Sequence, residues 1–124
     1  MTQEDKQLLF QDLCARLPYG VIVHLEYDEN TSVTRELGIG SLHDIMVGNA
    51  KGIPYLRPMS SMTEEENKEY AKVIVKSQDC SLENSESATT MVNDWLLSKG
   101  FDVRGLISKG LAIEVTKENN PYEN

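Results

Sequence analysis

The stretch that decides the fold is Ile53-Pro54-Tyr55-Leu56-Arg57-Pro58-Met59-Ser60-Ser61-Met62-Thr63-Glu64-Glu65-Glu66. It joins the end of a strand, a rigid connection bounded by proline and the start of a helix. Pro58 favours an extended conformation for the residue before it, so a helix cannot run into this point from upstream. Thr63 with Glu66 three residues later is a capping-box pattern, and the run of glutamates suits the positive end of a helix dipole. The segment therefore predicts that the chain leaves a sheet and starts a helix here.

Upstream of this segment, the sequence predicts one helix and a small sheet. Residues 3–17 carry apolar side chains at helical spacing, Thr2 can cap the start, and Cys14 falls within the pattern as a small buried hydrophobe. Short strands, of which the first two form a hairpin, are predicted at residues 21–27, 32–37, 42–47 and 53–56. Short strands separated by glycine-rich corners indicate a bent antiparallel sheet or partial barrel.

Downstream, the periodicity predicts more helices and a last strand. The second helix runs to about residue 76, and the polar, serine-rich stretch 77–86 is predicted to be a loop. The third helix, 87–98, has the clearest apolar stripe in the chain. Asp102 is then expected to cap a short helix at residues 103–109. A last strand is predicted at residues 111–115, and the tail, residues 117–124, is predicted to be frayed.

These elements indicate a single α+β domain over residues 1–124. An N-terminal helix and the small antiparallel sheet occupy 1–58, and two or three helices with a terminal strand occupy 59–116. Hydrophobic residues make up 40% of the 124, which is enough to form a core. No run approaches the roughly 18 apolar residues of a membrane span, and the acidic N-terminus is unlike a secretory signal, so we expect a cytoplasmic protein with no membrane contact.

The charge and the reactive side chains exclude several classes of function. A net charge of −8 disfavours binding to nucleic acid, which requires lysine and arginine to neutralise phosphates. His24 and His43 are the only histidines, and their spacing with the two cysteines is not that of a zinc site. No nucleophile elbow, dinucleotide fingerprint or phosphate loop is present. We therefore predict no catalytic residues, no metal, no cofactor and no enzymatic activity.

Four residues are candidates for a binding site. Trp95, the only tryptophan, lies on the stripe of the third helix and is either core or an anchor for a partner. Tyr55 and Arg57 stand beside two prolines and form either a recognition edge or a rigid junction. Arg104 belongs to an alternative in which residues 87–115 form a winged helix that binds DNA, although such a module normally has a basic face.

Three blocks of the chain also carry a family resemblance: residues 13–21, residues 54–66, and the set Asp94-Trp95-Leu96, Phe101-Asp102, Arg104-Gly105-Leu106-Ile107 and Gly110-Leu111-Ala112. On these blocks the chain resembles a family of small uncharacterised proteins of gut Bacteroides-type bacteria and their phage-like elements. Relatives tend to have a histidine pair just before the Phe101 position, where this chain has Ser98-Lys99-Gly100. The resemblance implies a mobile-element setting and brings no activity with it.

Together these observations favour a non-enzymatic accessory or interaction protein. We expect it to act through a protein partner, as a monomer or a small homo-oligomer. The winged-helix module is the alternative, and a small enzyme of unknown reaction is the third hypothesis.

Overall fold

The computed structural model describes residues 2–81 and 85–122, with side chains described outside 77–90. The described part contains, in chain order, α1 (Gln3–Arg16), β1 (Ile22–Glu26), β2 (Ser32–Glu36), α2 (Ile39–Met46), β3 (Lys51–Leu56), α3 (Glu64–Ser81), α4 (Ser85–Ser98) and β4 (Ile113–Glu114). The predicted α+β class, with its N-terminal helix, is confirmed. None of the helices within these ranges combines the length and the apolar character needed to cross a membrane.

Helix α1 begins at a capping box and buries a face that is half charged. Thr2 Oγ1 accepts a hydrogen bond from the amide of Asp5, whose carboxylate accepts one from the amide of Thr2. The buried residues recur at i, i+3, i+4 and i+7; they are Leu9, Asp12, Leu13 and Arg16. Cys14 was predicted to be buried, but it is exposed because it lies off this face.

The sheet has the strand order β2-β1-β3-β4. The predicted hairpin is confirmed, since β1 pairs antiparallel with β2, and β1 also pairs antiparallel with β3. Strand β4 pairs parallel with β3, with Tyr55 opposite Ile113, so the sheet is mixed rather than wholly antiparallel. Val21, Val23 and Leu25 are buried on one face, as their period of two predicts.

Residues 42–47, predicted to be a strand, lie in α2 and the residue that follows it. Gly38 is extended and caps the helix, and its carbonyl accepts from the amide of Leu42 at 3.0 Å. Leu42 and Ile45, one helical turn apart, then pack against the core. The strand prediction was wrong because so short an apolar run fits either a strand or a helix.

Helices α3 and α4 pack against each other as a hairpin that follows the end of β3. The predicted helix 87–98 is confirmed, but the loop predicted over 77–86 is wrong where the chain is described, because α3 continues to Ser81 and α4 begins at Ser85. Residues 82–84 lie outside the described residues. At the base of the hairpin, Arg57 donates its amide to the Gly100 carbonyl at 2.8 Å and accepts at its own carbonyl from the amide of Asp102 at 2.9 Å.

Residues 103–109, predicted to be a short helix, form turns. Asp102 stabilises these turns and does not cap a helix. Its carboxylate accepts from the amides of Leu106 at 2.8 Å and Ile107 at 3.0 Å. Gly105 has a φ of +70°, a left-handed conformation that a right-handed helix does not contain. The segment that would be the recognition helix of the winged-helix alternative therefore is not helical.

The described part of the tail, residues 117–122, returns to the sheet at Tyr122 instead of fraying, and residues 123 and 124 lie outside the described residues. The Tyr122 hydroxyl accepts from the amide of Ile22 at 3.0 Å and donates to the carbonyl of Tyr55 at 2.8 Å. The predicted last strand is shorter than expected, since only Ile113–Glu114 pairs. The core lies between α1, the sheet and the segment after α4; its buried members include Leu9, Leu13, Val23, Leu25, Leu56, Leu106 and Leu111.

Candidate functional site

Arg57 lies where β3 ends and binds the helix that follows. Its Nη1 and Nη2 donate to the two carboxylate oxygens of Glu66 at 2.8 and 2.7 Å, the forked geometry that makes arginine–carboxylate pairs strong. The hydrogen bond from Arg57 lowers the pKa of the Glu66 carboxyl to about 2, and the same bond raises the pKa of Arg57. The Arg57 guanidinium also lies 4.4 Å from the centroid of the Phe101 ring. These contacts favour a rigid junction over a recognition edge.

The predicted capping box at the start of α3 is confirmed. Glu66 donates its amide to Thr63 Oγ1 at 3.2 Å, and its carboxylate accepts from the amide of Thr63 at 3.0 Å. The same carboxylate therefore serves both the cap and Arg57. As a result, the end of β3 and the start of α3 are fixed to each other through a single side chain.

Trp95 lies in a stack of aromatic rings. Its ring centroid is 5.4 Å from that of Tyr70 and 6.2 Å from that of Phe101, with nearly parallel planes. Phe101 is fully buried, and Trp95 is half-buried. The stack joins both helices of the α3–α4 hairpin to the core, which favours the core interpretation of Trp95 over a partner anchor.

The Arg104 side chain binds the buried carboxylate of Asp12. Its Nη1 donates to Asp12 at 2.8 Å, while the other oxygen of Asp12 accepts from Arg16 Nε at 2.6 Å. Asp12 and Arg16 are 0% and 1% exposed. Arg16 Nη2 also donates to the carbonyl of Phe101 at 2.7 Å. One carboxylate thus faces two guanidinium groups, so this network carries a surplus positive charge, and the Arg104 side chain is 31% exposed.

Arg16 was not among the residues that the sequence singled out, and its side chain is unusual among those that the structure describes. Its Nη1 is buried and has no hydrogen-bond partner among the described residues. A buried donor without an acceptor costs about 1–3 kcal/mol, which makes such groups rare in native structures. The sequence does contain a signal for the burial of Arg16, because it shares one face of α1 with Leu9 and Leu13 at helical spacing. That signal is weak, since charged residues such as Asp12 and Arg16 are not expected on a buried face.

A cavity of about 730 Å³ lies beside this network, and we refer to it as the arginine cavity. The described residues that line it include four of the chain's twelve lysines and arginines and none of its twenty aspartates and glutamates. The four cations are Arg16, Arg57, Lys99 and Lys117. The charged residues of this lining are all positive, whereas the whole chain has a net charge of −8. The cavity therefore favours anions locally.

Helix α2 carries a second feature, an apolar stripe on its outer side. Ile39, His43, Met46 and Val47 are spaced i, i+4, i+7 and i+8 and therefore share one face, which we call the α2 stripe. Ile39, Met46 and Val47 are 78%, 58% and 50% exposed. Since Leu42 and Ile45 face the core, this short helix is apolar on both sides, a pattern typical of helices that are buried all round.

The four candidates from the sequence thus fall into separate roles. Arg57 and Trp95 meet at Phe101, Arg104 joins the Asp12–Arg16 network, and Tyr55 contributes its carbonyl to Tyr122. Among residues 2–76 and 91–122, whose side chains the structure describes, no three His, Cys, Asp or Glu side chains are placed to hold a metal ion, and independence from metal stays a prediction. In comparisons with known proteins, no family model, curated protein or solved structure matches the chain. The family resemblance and the mobile-element setting likewise stay predictions.

Proposed function

We propose that the protein is a non-enzymatic, cytoplasmic interaction protein that binds a partner protein through the α2 stripe. The observation that carries this proposal is the exposure of Ile39 and Met46 on α2, and of Val47 directly after it, on a helix that is also apolar toward the core. Burying such side chains contributes about 1.5–3 kcal/mol each. Exposed apolar side chains that are contiguous on one face are typical of interaction surfaces.

The groove beside the stripe indicates the kind of partner. A groove of about 830 Å³ runs between α1 and the segment that joins α2 to β3, and Met46 and Val47 form part of its wall with Phe10. Two lysines, Lys6 and Lys51, line the groove with a single acid, Glu26. We therefore propose that the partner offers an amphipathic helix whose apolar anchors enter the groove and whose flanking residues are acidic.

The test compares capture of partner proteins by three forms of the chain. Wild type, Met46→Glu and Val75→Glu are immobilised and exposed to lysate of the source organism. Val75 on α3 is the matched control, since it is 59% exposed and Met46 is 58% exposed. The partner is then purified, and its affinity for each form is measured by calorimetry at low and at physiological salt.

The proposal predicts a protein that wild type and Val75→Glu capture and Met46→Glu does not. In calorimetry, a charge placed in the apolar interface should weaken binding roughly 30-fold or more, and higher salt should weaken binding to wild type. Equal capture by Met46→Glu would defeat the proposal. A wild-type dimer in sedimentation that Met46→Glu converts to a monomer would also defeat it, because the stripe would then join two copies of this chain.

A further inference from the structure

The arginine cavity lies apart from the groove beside the α2 stripe, and Arg16 in its lining has a donor without an acceptor among the described residues. Arg16 lines the cavity, is 1% exposed and makes its known hydrogen bonds through Nε and Nη2. Its Nη1 has no acceptor among the described residues. Such a donor requires an acceptor, and the surrounding charge favours an anionic one.

The charges that line the cavity are unequally compensated. Arg57 is matched by Glu66, and Lys99 lies 3.7 Å from Glu69. Arg16 shares the carboxylate of Asp12 with Arg104, so this network has a surplus positive charge. Lys117, an exposed lysine on the tail, adds another cation to the lining. Among the described residues, Arg16 and Lys117 are therefore the cations of the lining that have no carboxylate of their own.

The remaining wall of the cavity is largely apolar and aromatic, and it includes Val21, Leu97, Val115, Tyr19 and Tyr122. Two cationic donors match the two oxygens of a carboxylate, whereas a phosphate has more oxygens to satisfy and usually binds to clustered backbone amides. We propose that the arginine cavity binds a carboxylate carried on an apolar or aromatic body. This site goes beyond the proposed function, because it uses none of the residues of the α2 stripe.

The direct test is a titration of the full chain followed by NMR, with the arginine Nε–H signals and the Trp95 indole signal as reporters. The probe is N-acetyl-phenylalanine, and its amide is the control that lacks only the charge. Saturable binding with a Kd of about 1 mM or tighter is expected for the acid, and at least tenfold weaker binding for the amide. Equal binding of acid and amide, the absence of saturation at about 10 mM acid, or tighter binding of inorganic phosphate than of the acid would overturn the proposal.

The source of the carboxylate is distinguished in a second arm. A short peptide with an apolar C-terminal residue is tested with a free and with an amidated C-terminus. Binding of the free peptide that is at least tenfold tighter than that of the acetylated amino acid would assign the site to a protein C-terminus. Equal affinity would assign it to a small organic acid, and both results support a carboxylate site.

Variants locate the binding within the molecule. Lys117→Gln removes the exposed cation of the cavity, and Lys109→Gln makes the same charge change at an exposed lysine outside its lining. Lys117→Gln should weaken binding of the acid about two- to fivefold, as expected for one exposed charge, and Lys109→Gln should leave it unchanged. Arg16→Lys should abolish binding, and if this variant does not fold, the two lysine variants carry the test. Equal weakening by both lysine variants would show an effect of net charge alone and would overturn the proposal.

Discussion

Replacing Glu66 by glutamine should remove most of the stabilisation that the Arg57–Glu66 pair contributes. The pKa of Glu66 falls from an ordinary 4.5 to about 2, chiefly because Arg57 donates to the carboxylate. Each pKa unit corresponds to about 1.36 kcal/mol, so the full effect is roughly 3 kcal/mol at neutral pH. The two side chains are 25% and 16% exposed, and water screens part of the interaction. We expect Glu66→Gln to lower the free energy of unfolding by about 2 kcal/mol at pH 7.

The pH dependence separates the charge of Glu66 from its other roles. Because the pKa is lower in the folded state than in the unfolded state, the stabilisation is complete above about pH 4.5 and is lost as the pH falls toward about 2. The difference in unfolding free energy between wild type and Glu66→Gln should therefore fall below half of its neutral value near pH 3. Glutamine keeps an oxygen that can accept from the Thr63 amide, so the cap is largely retained.

Urea unfolding curves of wild type and Glu66→Gln, recorded at pH 7, 5 and 3, make this measurement. Glu65→Gln is the matched control, because Glu65 is exposed and adjacent, and its substitution should change stability by no more than about 0.5 kcal/mol. A difference between wild type and Glu66→Gln that stays constant from pH 7 to pH 3 would refute the reasoning, since the stabilisation would then not depend on the carboxylate charge.

Four further predictions concern stability and binding. Thr63→Ala should lower the free energy of unfolding by about 0.5–2 kcal/mol through loss of the cap, and an unchanged denaturant midpoint would contradict the role of Thr63 in the junction. Tyr122→Phe should cost about 1 kcal/mol and accelerate hydrogen exchange at the amide of Ile22, which donates to the lost hydroxyl. Melting curves with and without a strong chelator should coincide, and a drop of several degrees on chelation would show a structural metal. A gel-shift titration with random duplex DNA should show no binding at physiological salt, whereas salt-sensitive binding at micromolar protein would favour the winged-helix alternative.

The junction around Pro58 and Thr63 could be predicted because its determinants are local. Proline restricts its neighbour, and the capping box spans only four residues, so both effects are readable without knowledge of the rest of the fold. The contribution of Arg57 could not be predicted in the same way. Its guanidinium binds a residue nine positions away and stacks on Phe101, and the latter contact requires that the α3–α4 hairpin returns to the sheet.

The main features of the arginine cavity were not predictable, because they depend on contacts between distant parts of the chain. Arg16 donates to the carbonyl of Phe101, 85 residues away, and Arg104 reaches Asp12 across 92 residues. From the sequence alone, both arginines resemble ordinary surface residues. The burial of Arg16 depends on where the chain passes after α4, and no local pattern specifies that path.

The two ends of the α3–α4 hairpin meet at Arg57, whose amide and carbonyl bind residues on either side of Phe101. The chain therefore departs from the sheet and rejoins it at the same point, so the hairpin is an insertion closed at its base. Lengthening or shortening both helices by whole turns would leave β3 and its pairing with β4 in place, since neither depends on the length of the hairpin. A change in hairpin length by whole helical turns should therefore cost the sheet little.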